Sequence, residues 1–144
     1  MSKTRPPETS THEHPNTPTH VEIGVVGLGL MGCSITACLL MAGHPVKAIA
    51  PVESDLLHAA GRIREHLTKS KEEGLTDREP TMLEKQLSIT SDYNALKNCR
   101  LVIECTLENL NIKKTVFGKI EAVISTDALL TSNTSAARTG NRCR

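Results

Sequence analysis

The sequence predicts an α/β fold: a doubly wound, mostly parallel sheet with helices on both faces. From His20 onward, short apolar runs alternate with helix-period patterns, as repeated βαβ units do. The first of these runs, Val21–Val26, leads directly into Gly27-Leu28-Gly29-Leu30-Met31-Gly32. A G-x-G-x-x-G therefore falls where a strand turns into a helix, which makes the fold Rossmann-type. The chain is 144 residues long, one domain that buries roughly 68–70% of its unfolded surface.

Each element follows in order. Strand one covers about Glu22–Val26. Ile35, Cys38, Leu39 and Ala42 then recur at i, i+3, i+4 and i+7, one face of a helix that Gly43 ends. Pro45–Ala50 reads as strand two. Leu56, Leu57, Ala60, Ile63 and Leu67 form a second helical stripe. Thr68–Gln86 is highly charged and contains Gly74 and Pro80, so the helix breaks there and a short one follows. Thr76 and Glu79 have the spacing of a capping box. Leu87–Thr90 is a brief third strand, and Asp92 caps a short helix reaching about Asn98. Leu101–Cys105 makes strand four. Ile112, Val116, Phe117, Ile120, Val123 and Ile124 mark a long amphipathic helix from Asn109, and Ala128–Ser132 is strand five.

The organised domain therefore spans 21–137. Residues 1–20 are polar, hold Pro6, Pro7, Pro15 and Pro18, and lack the apolar core of a secretory signal, so they read as a disordered tail. Residues 138–144 are basic and aperiodic, an irregular end.

Composition narrows the partners. There are 17 basic and 16 acidic residues with no basic face, and only Tyr93 and Phe117 are aromatic, so nucleic acid is not indicated. No apolar run reaches membrane-spanning length. The cysteines, Cys33, Cys38, Cys99, Cys105 and Cys143, lack C-x-x-C spacing and fall mostly in apolar segments, as buried reduced thiols do in a cytoplasmic protein. A mitochondrial location is the alternative. No metal site is expected: His12, His14 and His20 lie in the tail without a scaffold.

Ligands bind such sheets beyond the carboxyl ends of the strands. Gly27 permits the tight turn, Gly29 lets backbone approach a pyrophosphate, and Gly32 lets helix and strand close up, with Leu30 and Met31 between them at the helix N-terminus. Strand two should end in an acid that holds the adenosine ribose, yet Ala50 stands there, followed by Pro51. Weakened dinucleotide binding is the consequence. Glu53 is the nearest acid, and a helix N-terminal acid is its simpler reading. After strand four, Glu108 and Lys113 fall on the pocket side; the simpler reading is a helix-start acid and a surface base. After strand five, Ser132-Asn133-Thr134-Ser135 clusters hydroxyls and an amide.

LVIECTLENLNIKKTVFGKIE and the following LLTSNTSA, with GLGLMG, resemble the NAD-binding domain of the 3-hydroxyacyl-CoA dehydrogenases, including the 3-hydroxybutyryl-CoA and L-gulonate dehydrogenase branch. The resemblance covers about His20–Ala137. It implies an oxidoreductase of fatty acid metabolism with NAD as cofactor. Gly27, Gly29 and Gly32 would hold the pyrophosphate, and Glu108 and Lys113 the nicotinamide-side ribose. Ser135 would be catalytic, bonded to both the substrate hydroxyl and the nicotinamide region. Arg62–Glu84 would reach toward CoA. The family's general base is a histidine in a further strand, and a helical C-terminal domain closes the cleft and drives dimerisation; this chain ends before both. His44, His58 and His66 are not at strand carboxyl ends, so no base is placed. Activity on an acyl-CoA is accordingly expected only with a C-terminal domain supplied. The alternative is a non-catalytic truncated paralogue that binds nucleotide weakly, forms a homo-oligomer, or pairs with a full-length homologue.

Overall fold

A computed structural model describes residues 21–133. The order is β1 (Ile23–Val26), α1 (Leu30–Met41), β2 (Val46–Ile49), α2 (Glu53–Glu72), α3 (Pro80–Glu84), β3 (Leu87–Thr90), a 3₁₀ turn (Tyr93–Leu96), β4 (Leu101–Glu104), α4 (Leu110–Glu121) and β5 (Leu129–Ser132). The strands form one sheet in the order β3-β2-β1-β4-β5, and every described pairing is parallel.

Strand pleating divides the core in two. Val25, Val46 and Ala48 face one side, where they pack with Leu28, Ala37 and Leu40 of the α1 segment and Ile63 and Leu67 of α2. Val26, Ile49, Val102 and Leu130 face the other, against Leu96 and the Val116 and Ile120 side chains of α4. Side chains alternate between faces along a strand, so two neighbouring valines serve two different helix layers. Both faces of the sheet are covered, as parallel sheets require.

Three sequence expectations about the helices need correction. The buried face of α1 is Gly32, Cys33, Thr36, Ala37 and Leu40, while Cys38 and Ala42 are exposed. The helix is apolar on nearly every side, so periodicity could not choose the face; the close contact at Gly32 does. On α2 the buried stripe is Ala59, Ile63 and Leu67, with Leu56, Leu57 and Ala60 exposed. The helix also continues to Glu72, and Gly74 ends it at φ +75°. Finally, Thr76 caps nothing: its Oγ1 accepts from the Arg78 amide, and α3 begins at Pro80 after Glu79. Pro80 supplies the preset φ of a first helical turn instead.

Asp92 and Asn109 do cap as their residue types suggest. Asp92 Oδ1 accepts from the Asn94 amide at 2.9 Å. Asn109 Oδ1 accepts from Asn111 and Ile112 at 3.0 and 3.2 Å, which starts α4 at Leu110.

Candidate functional site

Strand register brings five positions to one level. Val26 stands beside Ile49 and Glu104, Ile49 beside Thr90, and Glu104 beside Ser132. These residues end their strands on the carboxyl edge of the sheet. The strand order reverses between β1 and β4, and ligands bind such sheets above the turns at that reversal, here those after Val26 and after Glu104.

The glycine-rich turn lines one side of that crevice. Gly27 has φ +98°, and a Cβ there would lie 2.8 Å from the Cys105 carbonyl and the Thr106 nitrogen. The two turns therefore touch through bare backbone. A Cβ on Gly32 would collide with the Gly27 carbonyl oxygen, so only glycine lets α1 start this close to β1. Gly29 differs: a Cβ there would meet nothing within 4 Å. The space before it is open, as a closely approaching ligand requires. Gly29 is the N-cap of α1 and no side chain caps the helix. Its first N–H groups and dipole are left to an anion, and Leu30 and Met31 stand exposed beside them. These features fit a dinucleotide's diphosphate.

A buried ionic cluster lies at the carboxyl ends of β4 and β5. Lys113, on α4, places its ammonium 3.0 and 3.1 Å from the two Glu104 carboxylate oxygens. Glu104 Oε1 also accepts from the Thr106 amide at 2.7 Å and from the Thr106 hydroxyl, and Oε2 accepts from Ser132 Oγ at 2.5 Å. Neither charged side chain is more than 3% exposed. Burial pushes the Glu104 carboxyl upward, but the bonds from Ser132, Thr106 and Lys113 outweigh it and hold the group below the ordinary carboxylate value. Register explains the cluster. Val102, Glu104, Leu130 and Ser132 share the sheet face that α4 covers, so strand acid, strand hydroxyl and helix lysine converge there.

The second strand ends in an apolar plug. Ala50 is buried among the core residues that include Leu28 and Ala59, and it offers a ligand no acceptor. Glu53 is the first residue of α2 and is exposed, the helix-start acid expected of it. Deeper in, the Arg62 guanidinium donates from one nitrogen to the Leu28 carbonyl at 3.2 Å and to Asp55 Oδ1 at 3.1 Å.

Of the expected site residues, Gly27, Gly29, Leu30, Met31 and Gly32 stand together on the crevice edge. Glu108 follows β4 in an exposed turn. The simpler reading of Lys113 as a surface base is corrected: it is 2% exposed and paired to Glu104. Ser135 and Thr134 lie outside the described residues, as do both tails and Cys143. Cys33 packs beneath the turn, donating to the Leu28 carbonyl, and burial raises its thiol. Cys38 is exposed rather than buried. Sequence reasoning missed Glu104 and the Asp55–Arg62 pair. An acid inside the apolar run of β4 was the available signal for the first, because a buried carboxylate demands partners.

A reversing parallel sheet with an uncapped, glycine-entered helix at the reversal defines a dinucleotide-binding α/β domain. Residues 22–141 match the model of the 3-hydroxyacyl-CoA dehydrogenase NAD-binding domain, and the chain belongs to that family. A 3-hydroxybutyryl-CoA dehydrogenase of Mycobacterium tuberculosis is 34% identical over 116 residues, 79% of this chain and 41% of that protein. The human peroxisomal bifunctional enzyme is 35% identical over 114 residues, 79% of this chain and 16% of its own. Among solved structures, the 3-hydroxybutyryl-CoA dehydrogenase of Escherichia coli superimposes with a TM-score of 0.73 at 30% identity, covering 83% of this chain and 25% of that one. The chain thus spans less than half the length of these relatives.

Proposed function

We propose that the chain binds NAD in this crevice and serves hydride transfer between NAD and a 3-hydroxyacyl-CoA. The open space at Gly29, before an uncapped helix N-terminus, carries the reading. The Gly27–Gly32 backbone holds the diphosphate, and Glu108 and Ser135 serve the nicotinamide side; Lys113, 2% exposed and paired to Glu104, acts there only as a buried positive charge. NAD, when bound, supplies the hydride acceptor. Glu104 anchors Lys113 and, through Ser132, the start of the segment that leads to Ser135. Ser135 positions the substrate hydroxyl.

Taking up the hydroxyl proton requires a base. Among the described residues, His44 lies before β2 at the amino end of the sheet, and His58 and His66 lie on α2. None of these three stands at a strand carboxyl end, so turnover of an acyl-CoA draws that base from outside the described residues. Ala50 removes the strand-end ribose acceptor, which weakens NAD binding by about 1.5–3 kcal/mol wherever no other acid takes its place. The domain runs over 21–137, and a cytoplasmic location suits the free thiols among the described residues, Cys33, Cys38, Cys99 and Cys105. Calorimetric titration of the purified chain with NAD tests the reading. Millimolar or tighter binding is expected; no heat at any concentration overturns it.

A second reading, association with a full-length homologue, is favoured by β5. It pairs only with β4 among the described strands, and Leu129 on it is 54% exposed. Co-elution with such a dehydrogenase on a sizing column supports it, and independent elution of both rejects it.

A further inference from the structure

We propose that Asp55 replaces the acid missing at Ala50, accepting hydrogen bonds from the ribose hydroxyls of NAD's adenosine half and selecting against a 2′-phosphate. This rests on the nucleotide-binding reading above. Three observations converge on Asp55. Ala50 has no side-chain acceptor and is sealed in the core, so the ribose must find a carboxylate elsewhere at this end of the sheet. Asp55 sits in the first turn of α2, directly after the strand that should have carried the acid. Arg62 ties it to the glycine-rich turn: one guanidinium nitrogen bonds both Asp55 Oδ1 and the Leu28 carbonyl, placing the carboxylate two hydrogen bonds from the peptide that precedes Gly29.

The chemistry suits a diol. Arg62 occupies Oδ1, while Oδ2 accepts no hydrogen bond among the described residues and is left for O–H donors. The Asp55 side chain is 23% exposed, open enough to reach and fixed enough to be preorganised. Glu53, by contrast, is exposed and has no partner holding it among the described residues. A 2′-phosphate would bring two negative charges against the Asp55 carboxylate. Arg62 would attract it, but Asp55 already neutralises that guanidinium. NAD is therefore preferred over NADP although the strand-end acid is absent.

The test is titration of the whole chain with NAD and with NADP, for wild type, Asp55→Asn and Glu53→Gln, with thermal melts alongside. Asp55→Asn is isosteric, and its melting point reports whether it folds. The expected result is about tenfold weaker NAD binding in Asp55→Asn together with tighter NADP binding, so that selectivity falls or inverts. Equal weakening of both nucleotides makes Asp55 a support for the turn and overturns the assignment. So does unchanged NAD affinity in Asp55→Asn, or the loss appearing in Glu53→Gln instead. A wild-type chain that binds neither nucleotide overturns the nucleotide-binding reading along with the assignment. Binding by wild type with no change in Asp55→Asn overturns the assignment alone.

Discussion

Lys113 and Glu104 form an ion pair with both charges out of water, the ammonium held by both carboxylate oxygens at 3.0 and 3.1 Å. It joins α4 to β4 and, through Ser132, to β5. Such a pair adds little net stability when whole, because each ion loses its hydration. Its strength shows only when it is halved.

Removing one partner strands the other. Lys113→Met leaves the Glu104 carboxylate buried without a counter-charge, at an expected cost of about 3–5 kcal/mol. Glu104→Gln strands the ammonium and should cost a similar amount. The double variant should lose less than the sum, because neither ion then remains. Urea denaturation of the four proteins gives the answer; strict additivity would mean that the pair is not coupled.

Acid should attack the same cluster. Burial raises the Glu104 carboxyl, yet three partners together hold it below the ordinary value of about 4.3. The unfolded chain therefore takes the proton first as pH falls. The stability this group contributes is complete above about pH 5 and disappears as pH drops through its lowered folded value. The stability gap between wild type and Glu104→Gln should be constant from pH 7 to 5 and narrow below that. A gap independent of pH down to 3 contradicts the assignment.

Two glycines of one motif should behave oppositely. Gly32→Ala drives a methyl into the Gly27 carbonyl, so α1 must shift, at about 1–3 kcal/mol or more. Gly29→Ala meets no described neighbour within 4 Å, and its φ of −71° suits alanine. Stability should change by less than about 0.5 kcal/mol. NAD affinity should nonetheless fall at least about tenfold, because the methyl fills the diphosphate's approach. Melting curves and titrations on both variants separate packing from binding; a Gly29→Ala protein with full affinity would remove the diphosphate from this turn.

What the residue pattern revealed, and what it hid, follows from the same physics. All five strands were legible because each is a short apolar run ending at a turn, and register then aligned their carboxyl ends. The α1 face was hidden because α1 is apolar nearly all round, and the contact that orients it is between two backbones, Gly32 and Gly27. Lys113 looked like a surface base because its partner lies nine residues back in a strand that read as purely structural. The Asp55–Arg62 pair spans two helical turns, and only the fold brings its far end to Leu28. Local spacing shows which groups share an element; pairing across elements needs the sheet.

Restoring the strand-end acid is the most direct probe of Ala50. In Ala50→Asp a carboxylate would stand at the carboxyl end of β2, next to the glycine-rich turn. A charged hydrogen bond to a ribose hydroxyl is worth about 1.5–3 kcal/mol, so in the Asp55→Asn background, where the ribose has lost its acceptor, Ala50→Asp should restore NAD affinity by roughly tenfold or more. Ala50 is 1% exposed, and the unliganded variant should lose stability because the new charge begins partly buried. Bound NAD should return that loss by mass action, giving a larger ligand-induced rise in Tm than Asp55→Asn alone shows. Titration and melting with and without NAD measure both effects. An Ala50→Asp/Asp55→Asn protein that folds yet binds NAD no better than Asp55→Asn would show that the ribose does not lie at the end of this strand.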